Sequence, residues 1–132
     1  MIGRNNPFNI RNNKGNKWLG QIGSRKGFCE FSQMDFGIRA AVKIVMVNYR
    51  RFGFKTISSI INRFAPSSEN NTDNYIRFIV SYTKIAPLKP LESEDQYCRV
   101  LQAMSQMEGN PVTYDQILHV IRLYNLKMNC FV

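Results

Sequence analysis

The chain is poor in the residues from which many catalytic and metal centres are built. Among its 132 residues there is one histidine, His119, one tryptophan, Trp18, and three cysteines, Cys29, Cys98 and Cys130. A single imidazole supplies neither a zinc cluster nor much of a Ser-His-Asp set, and His119 is expected as a partly exposed helix residue. The cysteines are odd in number and no pair has metal-ligand spacing. Cys29 and Cys98 fall within apolar patterns, which predicts buried thiols, a reducing compartment during folding and no disulfide framework. No apolar run reaches the length of a membrane span. The opening MIGRNNPFNIRNNKG lacks the apolar stretch of a secretory leader, so the expectation is synthesis in the cytoplasm and delivery by other means. P-loop, dinucleotide, zinc and nucleophile-elbow motifs are all missing, and neither cofactor nor metal is expected.

What is present suits one globular domain spanning 1–132: hydrophobic residues are 44% of the chain and aromatics 12%. The formal charge of +9 is unevenly placed. Met1 to Lys55 holds eleven Lys and Arg against Glu30 and Asp35, whereas Thr56 to Val132 holds seven basic against seven acidic residues. A positive first half implies an anionic partner, and nucleic acid, anionic lipid and bacterial cell wall all qualify.

Residues 1–16, rich in Asn, Gly and Lys, are expected as an irregular but packed loop. Gln21-Ile22-Gly23 and Gly27-Phe28-Cys29-Glu30-Phe31 read as short strands around a Gly-Ser-Arg-Lys-Gly turn, with Phe28 and Glu30 on one face and Cys29 and Phe31 on the other. Ser32 with Asp35 resembles a capping box opening a helix to about Arg51, in which Phe36, Ala40, Ile44 and Val47 share a face with Ala41 and Val45 beside them. Thr56 caps a second helix that Pro66 stops. A polar loop follows, and Asn71 or Thr72 caps a third helix with Tyr75, Ile76, Ile79 and Tyr82 inward. Ser93 with Gln96 and Thr113 with Gln116 open two more, and Gly109 is set to end the first of these. The fold class is α+β, mostly α, with a small N-terminal β-hairpin.

The nine carboxylates leave few candidate acids. Asp35, Asp73, Glu94, Asp95 and Asp115 fall in first helical turns, where they favour the dipole, and Glu92 sits in a linker. Glu30, Glu69 and Glu108 remain. Glu108 ends a helix, where its charge opposes the dipole, and a local rule broken without evident gain marks a functional candidate. Glu30 reads equally as a strand residue paired with an arginine, and Glu69 as a loop residue holding a turn. Trp18 suits either core packing or a stacking platform for a sugar.

NNPFNIR, KWLGQ and GFCEF followed by an amphipathic helix, and then FAPSSENNTDNYIRFI, resemble motifs of bacterial cell-wall glucosaminidases. Over nearly its whole length the chain also resembles small phage or prophage "structural" proteins thought to degrade peptidoglycan. Their NNPGNIR, GIRA, aromatic-Ala-Pro-Pro-x-Glu-Asn-x-Thr and late Met/Ile-Glu-Gly correspond to NNPFNIR, Gly37-Ile38-Arg39-Ala40, FAPSSENNT and Met107-Glu108-Gly109. The resemblance implies a lysozyme-like domain that cuts peptidoglycan glycan strands, as a glycosidase (a muramidase, for example) or a lytic transglycosylase, associated with the virion or delivered to the cell wall. In lysozyme-like enzymes the catalytic glutamate usually ends a helix before the Asn-Asn loop, whereas here the helix of that kind comes late. The implied order is circularly permuted, which the closeness of termini in compact domains makes physically easy.

On this reading Glu108 is the acid, Glu30 or Glu69 the second carboxylate, and Asn6, Asn9, Trp18, Asn71, Thr72 and Tyr75 contact the sugar. Other virion proteins are further candidate partners. Two alternatives come from different classes. One is a non-catalytic virion or wall-binding protein. The other is a basic nucleic-acid-binding domain, which no recognised motif supports.

Overall fold

A computed structural model describes residues 1–128; Cys130 lies outside them. Strands β1 (Gln21–Arg25) and β2 (Phe28–Phe31) form an antiparallel hairpin, and five helices follow. The turn is tighter than the sequence predicts. Only Lys26 and Gly27 lie between the strands, with φ of 51° and 84°, the left-handed pair that a two-residue hairpin of native twist requires. Cys29 and Phe31 are fully buried, and Phe28 and Glu30 face the other way, half-buried.

The N-terminal loop is laid along the free edge of β2. Phe31 N–H donates to Arg4 O, Cys29 N–H to Ile10 O and Asn12 N–H to Gly27 O. Phe8 and Ile10 from this loop enter the core. Asn6 locks it: its Nδ2 donates to Ile10 O and Cys29 O, and its Oδ1 accepts from Ile10 N–H, all at 2.9 Å.

α1 (Met34–Val42) runs into a π-helical segment, Lys43–Tyr49. The expected Ser32–Asp35 box does not form. Gln33 is the N-cap, without a side-chain bond. Ser32 N–H donates to Gly20 O and so belongs to the hairpin, while Asp35 lies 3.8 Å from His119 Nε2 on α5. The buried face runs through Ile38, Ala41, Val42, Val45 and Met46, turned from the expected one, and Phe36, Ile44 and Val47 are half-buried. Gly37 allows α1 to press on the N-terminal loop: a Cβ there would sit 2.0 Å from Asn5 O.

The remaining helices follow the sequence signals closely. α2 (Ile57–Phe64), α4 (Glu94–Met107) and α5 (Tyr114–Leu123) each open with a complete capping box, at Thr56/Ser59, Ser93/Gln96 and Thr113/Gln116. α3 (Thr72–Thr83) is capped by Asn71, whose side chain accepts from Asn74 N–H. On α3 Tyr75, Ile79 and Thr83 are buried, and Tyr82, expected inward, is exposed. The helices pack in the series α2–α3–α4–α5–α1 around one core that includes Ile38, Met46, Ile60, Ile79, Leu101 and Met104. Two surface ties add to the α4–α5 contact, Tyr114 O–H to Asp95 at 2.7 Å and Arg122 to Glu94 at 2.7 Å. Among the described residues no helix is long and apolar enough to cross a membrane.

Candidate functional site

α4 ends at Glu108, its C-cap, and Gly109 at φ 82° turns the chain away. The last carbonyls of the helix point toward the same end, so a carboxylate there is locally disfavoured by about 0.3–1 kcal/mol. Two donors offset this. Tyr75 O–H donates to Glu108 Oε2 at 2.9 Å and Asn9 Nδ2 donates to Oε1 at 2.9 Å. Hydrogen bonds to a charged group contribute about 1.5–3 kcal/mol each, so the donors outweigh the dipole.

The three partners come from distant parts of the chain. Tyr75 is on the first turn of α3, Asn9 in the N-terminal loop at φ 51°, and Glu108 at the end of α4. Asn110 Nδ2 adds a second tie to that loop, donating to Pro7 O at 3.3 Å. Tyr75 is 3% exposed. Burial, then the Glu108 charge, then the hydrogen bond itself push its hydroxyl far above the usual tyrosine range, so it acts as a neutral donor.

Glu108 and Asn9 line a cleft of about 400 Å³. Its floor and walls include Ile10, Phe28, Ile44, Tyr49 and Phe64, with Ala65, Pro66, Glu69 and Asn70 from the loop after α2. The π-helical segment therefore contributes Ile44 and Tyr49 to this wall. Arg11 and Glu69 face each other at 3.7 Å, with side chains 60% and 47% exposed. An exposed pair of this kind is worth no more than about 1 kcal/mol, so an incoming polar ligand can part it. Arg11 also lies 4.9 Å from the Phe28 ring centroid.

Of the residues expected at a site, Glu108, Glu69 and Asn9 meet in this cleft, and Tyr75 stands behind Glu108. The others do not join them. Glu30 accepts from Arg4 N–H at 2.9 Å and borders a separate recess with Met1, Arg4 and Arg25. Asn6 is fully buried with its side chain spent on the loop and Cys29, so it is framework rather than a ligand contact. Thr72 is also buried, donating to Ala65 O and closing the cleft loop against α3. Asn71 is the exposed cap of α3. Trp18 is half-buried, packed against the core and outside the cleft lining; of its two readings, the packing one fits this position.

Arg11, Tyr49, Arg63 and Asn70 complete the cleft lining without having stood out in the sequence. Arg11 carried a signal of a kind, as the last residue of NNPFNIR. Arg63 carried none, being one cation on the polar side of α2. The described residues contain no cluster of His, Cys, Asp and Glu able to hold a metal ion.

Comparison with known proteins relates the chain to a phage protein. No family model matches the chain. It is 38% identical over 119 residues to Protein P5 of Pseudoalteromonas phage PM2, a match covering 86% of this chain and 74% of that protein. Identity at this level across most of both chains is a relation of whole domains, and the chain belongs to the family of this phage protein.

Proposed function

We propose that the protein cleaves the glycan strand of peptidoglycan, with Glu108 as the general acid, in a lysozyme-like domain of circularly permuted order that acts from the phage particle. The observation that carries this reading is Glu108 itself, a helix-ending carboxyl opening on a polar cleft and oriented by a buried tyrosine and a loop asparagine. The bond between Asn9 and Glu108 supports the permuted order, since it joins the Asn-Asn loop to the end of a helix 99 residues later. Membership in a phage family supports the setting.

Glycosidic cleavage begins with a proton delivered to the leaving oxygen. Half-buried Asn9 is the donor at the cleft: when the acetamide carbonyl of a bound sugar draws its Nδ2 away, Oε1 is free to carry the proton that passes to the leaving oxygen. Buried Tyr75 stays and fixes the rotamer. Glu69 is the carboxylate available in the same cleft to steer water or stabilise the oxocarbenium ion. If its replacement by Gln leaves the rate intact, attack by the sugar's own hydroxyl, the lytic transglycosylase route, takes its place. The basic N-terminal half holds the protein to the anionic wall.

The test is Glu108→Gln assayed by zymogram on purified peptidoglycan, with mass analysis of released fragments. A loss of at least about a hundredfold is expected, the usual cost of losing a general acid. The melting temperature should change little. Gln keeps the shape, accepts from Asn9 through its carbonyl, and donates to Tyr75, whose hydroxyl accepts as readily as it donates.

A second reading rests on the same contacts. Both Glu108 oxygens are satisfied internally, which suits a strut tying α4 to α3 and the loop in a non-catalytic virion or wall-binding protein. It differs in outcome: wall binding without released fragments, and a Gln variant changed in stability alone.

A further inference from the structure

The charged side chains lining the cleft are Arg11, Arg63, Glu69 and Glu108. Glu108 is held by Tyr75 and Asn9, and Arg11 and Glu69 hold each other. Arg63 differs. Among the described residues no carboxylate lies within ion-pair distance of it. It is nevertheless positioned. Its guanidinium lies over the Phe54 ring at 5.4 Å from the centroid, and Phe54 meets the Tyr49 ring edge-on at 6.1 Å. The Arg63 charge also reaches Tyr49, where it works against the burial that pushes that hydroxyl up to about 12. A guanidinium held over an aromatic face has N–H groups left to offer a ligand. Those groups match a carboxylate, which they can bind through two parallel hydrogen bonds.

Resting on the glycan-cleavage reading, we infer that Arg63 is a specificity residue that binds a carboxylate carried by the glycan strand, so that the cleft selects acid-substituted strands over neutral ones. A chain of N-acetylglucosamine alone offers no such group. A peptidoglycan strand offers it from either of two sources: the free lactyl acid of a peptide-less muramyl residue, or the carboxylates of the stem peptide. Arg11 meets Glu69 in a weak exposed pair, whereas no carboxylate among the described residues lies within ion-pair distance of Arg63.

Equilibrium binding by calorimetry tests this, using the full chain carrying Glu108→Gln to prevent turnover. The ligands are chitotetraose, a peptide-free N-acetylglucosamine–muramic acid tetrasaccharide, the same tetrasaccharide with its lactyl acids reduced to alcohols, and its peptide-bearing form. The expectation is at least about tenfold tighter binding of an acid-bearing ligand than of chitotetraose, the scale of one charge-assisted contact. Adding Arg63→Gln should remove the preference and leave chitotetraose affinity within about twofold, and Arg63→Lys should keep part of it. Preference for the peptide-free acid that disappears on reduction assigns the lactyl source. Preference confined to the peptide-bearing form assigns the stem peptide. The reduced ligand requires no change at Arg63, so the comparison stands even if that variant folds poorly. Equal affinity for acidic and neutral ligands, or a preference untouched by Arg63→Gln, overturns the inference and leaves the glycan reading in place. If a folded protein binds none of the four, the glycan reading falls and the inference with it.

Discussion

The C-terminal helices and the N-terminal loop satisfy their polar groups in opposite ways. In α4 and α5 the caps are local: Ser93 with Gln96 and Thr113 with Gln116 close their own first turns. In the loop the side chains reach distant segments, Asn6 bonding Ile10 within the loop as well. Arg4 N–H reaches Glu30, Asn5 Nδ2 reaches Phe31 O, Asn6 reaches Cys29 O and Asn9 reaches Glu108. A locally capped helix end forms with its helix. A loop bonded across the chain acquires its shape only when hairpin, α1 and α4 are already assembled. The cleft lies where these two kinds of structure meet, and its central carboxyl takes one donor from each side.

This difference predicts unequal costs of breaking one polar side chain. The largest is expected at Asn6. Replacing it with Ala removes three buried hydrogen bonds at once and leaves Ile10 N–H without its acceptor. With about 1 kcal/mol lost per bond and more for a buried donor left unmade, the destabilisation should be about 3–5 kcal/mol. Thermal unfolding should show a fall of about 10 °C or more. A loss below about 1 kcal/mol would mean that the loop is held by Phe8 and Ile10 packing rather than by this network.

The next effect is at Tyr75 and depends on pH. Its hydroxyl is raised in the folded state by burial first and by Glu108 second, while in the unfolded chain it titrates near pH 10. A raised folded value stabilises fully below the unfolded one, and that stability is lost as pH climbs beyond it. Above about pH 10 the unfolded chain has released a proton that the folded protein keeps, so stability falls by about 1.4 kcal/mol per pH unit for this group. Tyr75→Phe should cost about 1.5–3 kcal/mol at neutral pH, by loss of the bond to Glu108, and should flatten the alkaline slope by one proton. Urea unfolding at several pH values from 8 upward measures both. An unchanged slope in the Phe variant would remove Tyr75 from the account.

The same contrast explains what could be read from the sequence. The cap at Thr56, the boxes at Ser93 and Thr113 and the stop at Gly109 were legible because each signal lies within a few residues of its effect. Ser32–Asp35 has the same pattern and failed, because the hairpin claims Ser32 and α5 faces Asp35. The π segment was not legible either, since apolar spacing of three and four does not distinguish a widened turn. Glu108 could be singled out from its conflict with the helix dipole. Asn6 and Asn9, three residues apart in one loop, could not be told apart: one is buried framework and the other a cleft donor, a distinction made by residues 23 and 99 positions away. Gly37 in mid-helix was a signal of close packing, since glycine there costs about 1 kcal/mol without a compensating contact. Asn5 O is that contact.

The smallest effect is expected at Thr113. Its side chain accepts from Gln116 N–H at 3.0 Å, and Gln116 Oε1 in turn accepts from Thr113 N–H at 2.8 Å. Both partners are exposed, so water replaces whatever the mutation removes and no buried group is left unmade. Thr113→Ala should therefore cost about 1 kcal/mol, the ordinary value of an N-cap, and leave Asn9, Tyr75 and Glu108 where they are. Cleavage of peptidoglycan, or wall binding under the second reading, should match the parent protein at temperatures well below unfolding. Comparing Thr113→Ala with Asn6→Ala in one denaturant series sharpens the contrast between an exposed local cap and a buried network with one bond across to β2. If the cap costs as much as the asparagine, α5 is not closed locally and its first turn must be coupled to the core through Val112, whose N–H already reaches Ser105 Oγ on α4 at 3.0 Å. That route can be checked in turn, because Ser105→Ala would then reproduce the loss and Gln116→Ala would not.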